Sequence, residues 1–371
     1  LVAALFIGAA GYYGMLHGEG VDFTTLFSLY SISVMFYMPT IALSNSVAYS
    51  VLINHNFDLI KTFPPIRTFG TVGFIFAMLF VNFAGLKDGG FSFNFTHEAG
   101  FISFQNTYSQ FFVSSILGIS LSLYSFTLPH CAINKSEEKQ TLYDALGLKA
   151  FSLFKDRKMA VFFIFSMLLG VSLQITNGYA NPFIASFKDI PQYADSWGAN
   201  NANALISLSQ VSETLCILLI PFCLKKFGIK QVMIMAMVSW FLRFGLFAIG
   251  DPGSGVWMFI LSMIVYGVAF DFFNVSGSLF VDQETGQSMR SSAQGVFMMM
   301  TNGFGATIGM LVAGEIVNYY GIFSNSDPVA KLSGWQSAWG IFSAYALVVT
   351  ILFVFAFKYK HEPEKVEKST N

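Results

Sequence analysis

Apolar residues come in long blocks, and the charged residues fall almost entirely in the short runs between them. Blocks long enough to cross about 30 Å of hydrocarbon recur ten times, near 1–16, 24–52, 64–85, 110–129, 159–186, 201–224, 229–250, 255–281, 291–319 and 335–358. Each reads as a membrane helix, so the pattern predicts an all-α integral membrane protein. The first block opens at Leu1, already inside an apolar run. It lacks the basic start and small-residue cleavage site of a signal peptide, and it reads as the remainder of a longer chain.

Composition supports this reading. Hydrophobic residues make up 54% of the 371 and charged residues only 11%, about half the share usual in soluble domains. Cys131, Cys216 and Cys223 have no metal-ligand spacing and are expected to be free thiols. There is no HExxH, Walker or GxSxG motif, so an enzyme, a metal or a cofactor has no starting point, and nothing points to nucleic acid. Gly305 and Gly309 form a GxxxG, most simply a site of close helix packing. The sequons at Asn94 and Asn134 read as chance matches.

Charge gives an orientation. If the connection 130–158 is cytoplasmic, that side holds fifteen Lys and Arg: Lys61, Lys135, Lys139, Lys149, Lys155, Arg157, Lys158, Lys225, Lys226, Lys230, Arg290, Lys358, Lys360, Lys365 and Lys368. The other side holds Lys87, Lys188 and Lys331, and only Arg67 and Arg243 fall within blocks. By the positive-inside rule the central loop and the C-terminus are cytoplasmic. Four blocks precede the loop and six follow it. Two bundles of six around a long central loop is the major facilitator-type helix bundle, with its binding site between the halves near the midplane. On that pattern ten of an expected twelve transmembrane helices are present. The divisions are an incomplete N-terminal bundle (1–129), a central cytoplasmic loop (130–158), a C-terminal six-helix bundle (159–358) and a cytoplasmic tail (359–371). The segment 86–109 is the main external loop.

Charged and polar residues inside spans are costly and mark function by default. Glu213 sits midway along its block and Asp271 past the middle of its own. The plain alternative is a structural ion pair, for instance with Arg243. Glu315 lies near the far end of its block. Helical spacing groups polar residues into stripes: Arg67, Thr71 and Phe74, just after a Pro64–Pro65 pair that suits a helix start; Gln174, Asn177 and Asn181; Asn203, Ser207, Gln210 and Thr214, with Glu213 close by. Tyr266 and Phe270 form an aromatic pair beside Asp271. Amides of this kind either glue helices together or bind a solute. Two amides, a carboxylate and aromatic faces suit a hydroxylated ligand bearing a planar heterocycle.

The stretches FYMPTIALSNSVAYS (36–50), FPPIRTFGTVGF (63–74), AVFFIFSMLLGVSLQITN (160–177) and SLSQVSETLCILLIPF (207–222) resemble the nucleoside:proton symporters of the major facilitator superfamily, found in bacterial inner membranes. The likeness continues in KKFGIKQVM (225–233), WFLRFGLFAIGDP (240–252), LSMIVYGVAFDFFNVSGSLFV (261–281) and SSAQGVFMMMTNGFG (291–305). It implies a substrate site at Arg67, Thr71, Phe74, Gln174, Asn177, Gln210, Glu213, Tyr266 and Phe270, with Asp271 at an acidic position of the same helix. The family's first two spans have no counterpart here, and the run 178–182 departs from its pattern. The resemblance implies proton-coupled nucleoside transport across the cytoplasmic membrane by alternating access; the sequence does not set the oligomeric state, and a monomer is expected. Asp271 is expected to carry the proton, with Arg67 as its partner; Glu213, expected mainly to bind ribose, is the second candidate for coupling. From the residues alone, a symporter for a sugar or other polar solute stays open, as does a membrane sensor.

Overall fold

The computed structural model describes residues 1–57, 59–87, 89–95, 100–129, 148–285 and 289–359, which form two compact units, Leu1–Ser136 and Glu137–Asn371. In the first unit, helices α1 (Val2–His17), α2 (Phe23–Asn54), α3 (Leu59–Phe83) and α4 (Ser109–Ser125) coincide with the first four apolar blocks. Asp22 starts α2: its carboxylate accepts from the Thr25 N–H and hydroxyl, both at 2.8 Å, which hold its pKa below the usual carboxylate range. Helix α3 begins at Leu59, before the Pro64–Pro65 pair, so the prolines lie within its early turns and do not open it. Near a helix end a missing N–H frees a carbonyl that water or neighbours can still satisfy.

Residues 84–103, which cover the end of the block 64–85 and most of the expected external loop 86–109, carry a small antiparallel sheet. Its strands are β1 (Ala84–Lys87), β2 (Gly90–Phe93) and β3 (Ile102–Ser103), in the order β2-β1-β3. Lys87 pairs with Gly90, so the hairpin turns over two residues, and Gly89 has φ +79°. A two-residue turn demands such a backbone, which glycine adopts without strain. Asp-Gly followed by the alternation Phe91, Phe93 was a hairpin signal in the sequence.

The second unit holds the last six apolar blocks, again helical. They are α5 (Arg157–Ser186), then, after a short helix α6 (Trp197–Asn200), α7 (Ala202–Phe227), α8 (Ile229–Ile249) and α9 (Val256–Glu284). Next come α10 (Arg290–Met298), a π-helical segment (Met299–Gly305) and α11 (Ala306–Tyr319) in one continuous run, then α12 (Pro328–Ala356). These six spans are long and apolar enough to cross a membrane. Polar capping, invisible to hydropathy, sets two of their starts. The Asp156 carboxylate accepts from Lys158 N and Met159 N at 2.8 and 2.9 Å; Asp327 accepts from Val329 N at 3.1 Å, with Pro328 in the first turn.

Helix α9 packs along α7 and α8, α8 also carries α12, and α5 lies against α11, the π segment and α12. Lipid tails are as apolar as the core, so these helices are held by close packing rather than by expulsion of water. Phe183 shows the density of that packing: its ring lies 5.3–5.7 Å from those of Phe187, Phe247, Phe259, Trp335 and Trp339. The expected GxxxG contact is present. A side chain at Gly305 would meet the Met167 carbonyl, and one at Gly309 would lie 2.9 Å from the Val171 backbone. At one end of the unit Lys158 pairs with Glu284 at 2.6 Å and lies over the Tyr359 ring. At the opposite ends of these helices Lys331 pairs with Asp189 at 3.3 Å.

Candidate functional site

The amides of α5 and α7 meet in register. The Asn181 side chain donates to the Asn203 carbonyl oxygen, and Arg243 reaches both Thr176 on α5 and Ser209 on α7. Position falls on one helix as it rises on the other, so the two are antiparallel. Two turns from the Asn181–Asn203 pair, Gln174 therefore comes level with Gln210, and Asn177 comes level with Ser207. Asn181 and Asn203 are joined by this hydrogen bond, as helix glue is. Gln174 and Asn177 are not: among the described residues neither side chain has a hydrogen-bond partner, Gln174 half-buried and Asn177 exposed. The other side of α7 exposes Leu208, Val211, Leu215, Leu218 and Phe222, an unbroken apolar stripe suited to lipid.

Tyr266 on α9 completes this layer. It is buried, and the Gln210 side chain, Glu213, Asp271 and Arg243 lie within its electrostatic reach. The Phe270 ring stacks near-parallel to it, 6.2 Å away at 9°, and Trp240 meets it edge-on at 5.8 Å. The approach depends on Gly267, where a Cβ would lie 2.6 Å from the Ser212 backbone of α7. Asp271 is 4% exposed and Glu213 half-buried, whereas Glu315 is exposed.

Arg243 binds this cluster from behind. Its guanidinium is 1% exposed and donates to the Ser262 carbonyl at 2.8 Å, with longer bonds to Ser209 and Thr176 at 3.4 Å. It also lies 4.5 Å from the Tyr266 ring centroid and 5.0 Å from that of Phe247. A buried cation is costly unless its donors are spent, and here carbonyl, hydroxyls and ring faces share the load. Its polar partners thus sit on α5, α7 and α9. Sequence reading named Arg243 only as a possible partner in a structural ion pair and overlooked Gly267. For Arg243 the signal was a charge inside an apolar block; Gly267 carried none.

The structure therefore gathers Gln210, Glu213, Tyr266, Phe270 and Asp271 in the second unit, with Gln174 and Asn177 along the same seam. Arg67, Thr71 and Phe74 lie in the first unit, spaced to share a face of α3. Thr71 is half-buried and Phe74 is 53% exposed, while the Arg67 side chain lies outside the described residues.

The family model described as "Nucleoside H+ symporter" matches residues 1–362. The chain belongs to the nucleoside H+ symporter family. Among relatives, the xanthosine permease of Escherichia coli (strain K12) is 46% identical, over 92% of this chain and 76% of that protein. The nucleoside permease NupG of the same organism is 42% identical, over 97% of this chain and 83% of its own length. Crystal structures of the nucleoside transporter NupG superpose as well. One, of a point mutant, has TM-score 0.81 at 41% identity, covering 96% of this chain and 83% of that one; another has TM-score 0.75. The helical-bundle expectation and the family resemblance both hold, and the family and these relatives are transporters.

Proposed function

We propose that this symporter carries nucleosides and protons together across a bacterial inner membrane by alternating access, with the central loop and C-terminus cytoplasmic. The family membership supports proton-coupled nucleoside transport. The second unit contributes Gln174, Asn177, Gln210, Glu213, Tyr266 and Phe270 to holding the nucleoside; the family resemblance also implies Arg67, Thr71 and Phe74 on α3. The observation that carries this assignment is the contrast along one seam. Asn181 and Asn203 are paired, while Gln174 and Asn177, two and one turns further in, have no partner among the described residues. Polar groups kept unspent on a membrane-spanning helix cost stability, which a bound solute returns. Glu213, half-buried beside Gln210, accepts from ribose hydroxyls, and the aromatic faces stack on the base.

In the full-length protein, Asn177→Ala and Gln210→Ala should weaken uridine binding by about 1–3 kcal/mol each, the usual cost of leaving buried partners unsatisfied. Phe74→Ala should do so through lost stacking area. Isothermal calorimetry on purified, monodisperse protein reads all three. Unchanged affinity in every variant would return these side chains to helix packing.

A further inference from the structure

The seam described above does not account for a second pair of amides in the same unit. A cleft between α5, α9 and the π segment is lined by Leu169, Leu173, Phe270, Asn274, Thr301 and Asn302. Its back is fixed by contact of backbones, since a side chain at Gly170 of α5 would strike the Thr301 carbonyl. Thr301 turns its hydroxyl to its own helix, at 3.0 Å from the Phe297 carbonyl. Asn274, one turn beyond Phe270, has no hydrogen-bond partner among the described residues. Asn302 is exposed, and its amide nitrogen reaches only the Met298 sulfur, at 3.6 Å, a weak acceptor. The π segment takes about one more residue per turn than an α-helix, which re-aims the side chains it carries; such segments recur at functional sites.

A structural amide between the same elements behaves differently. Gln294 on α10 donates to the Ser278 carbonyl at 2.7 Å and accepts from the Ser278 hydroxyl at 3.1 Å, closing α10 onto α9. Asn274 and Asn302 make no such closure. Two unspent amides beside an aromatic ring suit a flat molecule with donors and acceptors along its edge. A primary amide presents one of each side by side, the pattern that pairs with a nucleobase edge. A ribose would need hydroxyl partners but no ring face.

We infer that Asn274 and Asn302 read the hydrogen-bonding edge of the nucleobase while Phe270 lies against its face, so this pair sets how the base is told from its analogues. The inference rests on the nucleoside assignment above and deepens it.

The test compares uridine with pyrimidin-2-one riboside, the same ribose on a base without the 4-oxygen and the ring N–H. Dissociation constants are measured by calorimetry on the full-length protein. The wild type should prefer uridine by at least about fivefold, the low end of what one buried hydrogen bond supplies. Asn274→Ala and Asn302→Ala should each bring the ratio of the two constants toward one. Gln210→Ala should weaken both ligands and leave the ratio in place. Should Asn274→Ala not insert or fold, Asn302→Ala, at an exposed position, carries the same expectation. A wild type that does not discriminate, or a ratio unchanged in both Asn variants, overturns the inference and leaves nucleoside transport standing. Failure of the full-length protein to bind any nucleoside overturns the transport assignment, and this inference with it.

Discussion

At the scale of single residues, the two acids of the seam stand in different surroundings, and on that difference we propose different roles for them. Asp271 is buried on α9, one position after Phe270, while Glu213 is half-buried on α7 in line with Gln210. Symport needs a group that is neutral in one state and charged in another, and burial favours the neutral form of an acid. We therefore propose Asp271 as the proton carrier and Glu213 as the partner for ribose hydroxyls. Asp271→Asn fixes the side chain in a protonated-like state. It should still bind nucleoside and exchange it in counterflow, yet lose accumulation driven by a pH gradient in proteoliposomes. Glu213→Gln should instead weaken binding itself. Full gradient-driven accumulation by Asp271→Asn would move the coupling role to Glu213.

At the scale of elements, what was legible in the sequence was what hydropathy and helical spacing encode. Apolar blocks gave the helices, and the i, i+3, i+7 amides gave a stripe on each of α5 and α7. The same spacing did not say that the two stripes share a seam, because that depends on helix pairing; the Asn181–Asn203 contact decides it. Nor did it separate glue from site, since Asn181 and Asn177 are the same residue type on the same stripe and differ only in whether a partner lies across from them. The sheet at 84–103 was missed because a Gly- and Phe-rich run between apolar blocks looks like loop when periodicity is sought only for helices. Gly267 carried no signal at all, since a lone glycine in a membrane helix is ordinary. Its importance comes from α7 lying against it. Gly267→Ala places a Cβ 2.6 Å from the Ser212 backbone, and overpacking of this kind typically costs about 1–3 kcal/mol. It should lower the melting temperature and also weaken uridine binding, because α9 must retreat from α7 and take Tyr266 away from Gln210. Gly295, whose Cβ would meet nothing within 4 Å, is the control: Gly295→Ala should leave both unchanged. Unaltered binding by Gly267→Ala would separate helix spacing from the site.

At the scale of the whole molecule, the distribution of charge is the physical basis for direction in the membrane. With alternating spans, fifteen Lys and Arg are expected on the side of the central loop and three on the other, and such an excess is retained on the cytoplasmic side during insertion. The second unit is consistent with that division. Lys158 and Glu284 pair at one end of α5 and α9, where Lys230 also reaches the Val354 carbonyl at 3.1 Å; Lys331 and Asp189 pair at the other. The ends bearing Lys158 and Lys230 therefore lie together, as alternating spans require. Lys149 and Lys365 should then be cytoplasmic and Lys87, on β1, external. In full-length protein with Cys131, Cys216 and Cys223 replaced, a single cysteine at 87 should react with a membrane-impermeant maleimide in intact cells. Cysteines at 149 and 365 should react only after permeabilisation. The three positions test one another, because an inverted protein would swap all the reactivities, whereas local inaccessibility would silence one site in both conditions. Reaction at 149 in intact cells, with 87 protected, would reverse the orientation, and with it the side from which nucleoside and proton enter.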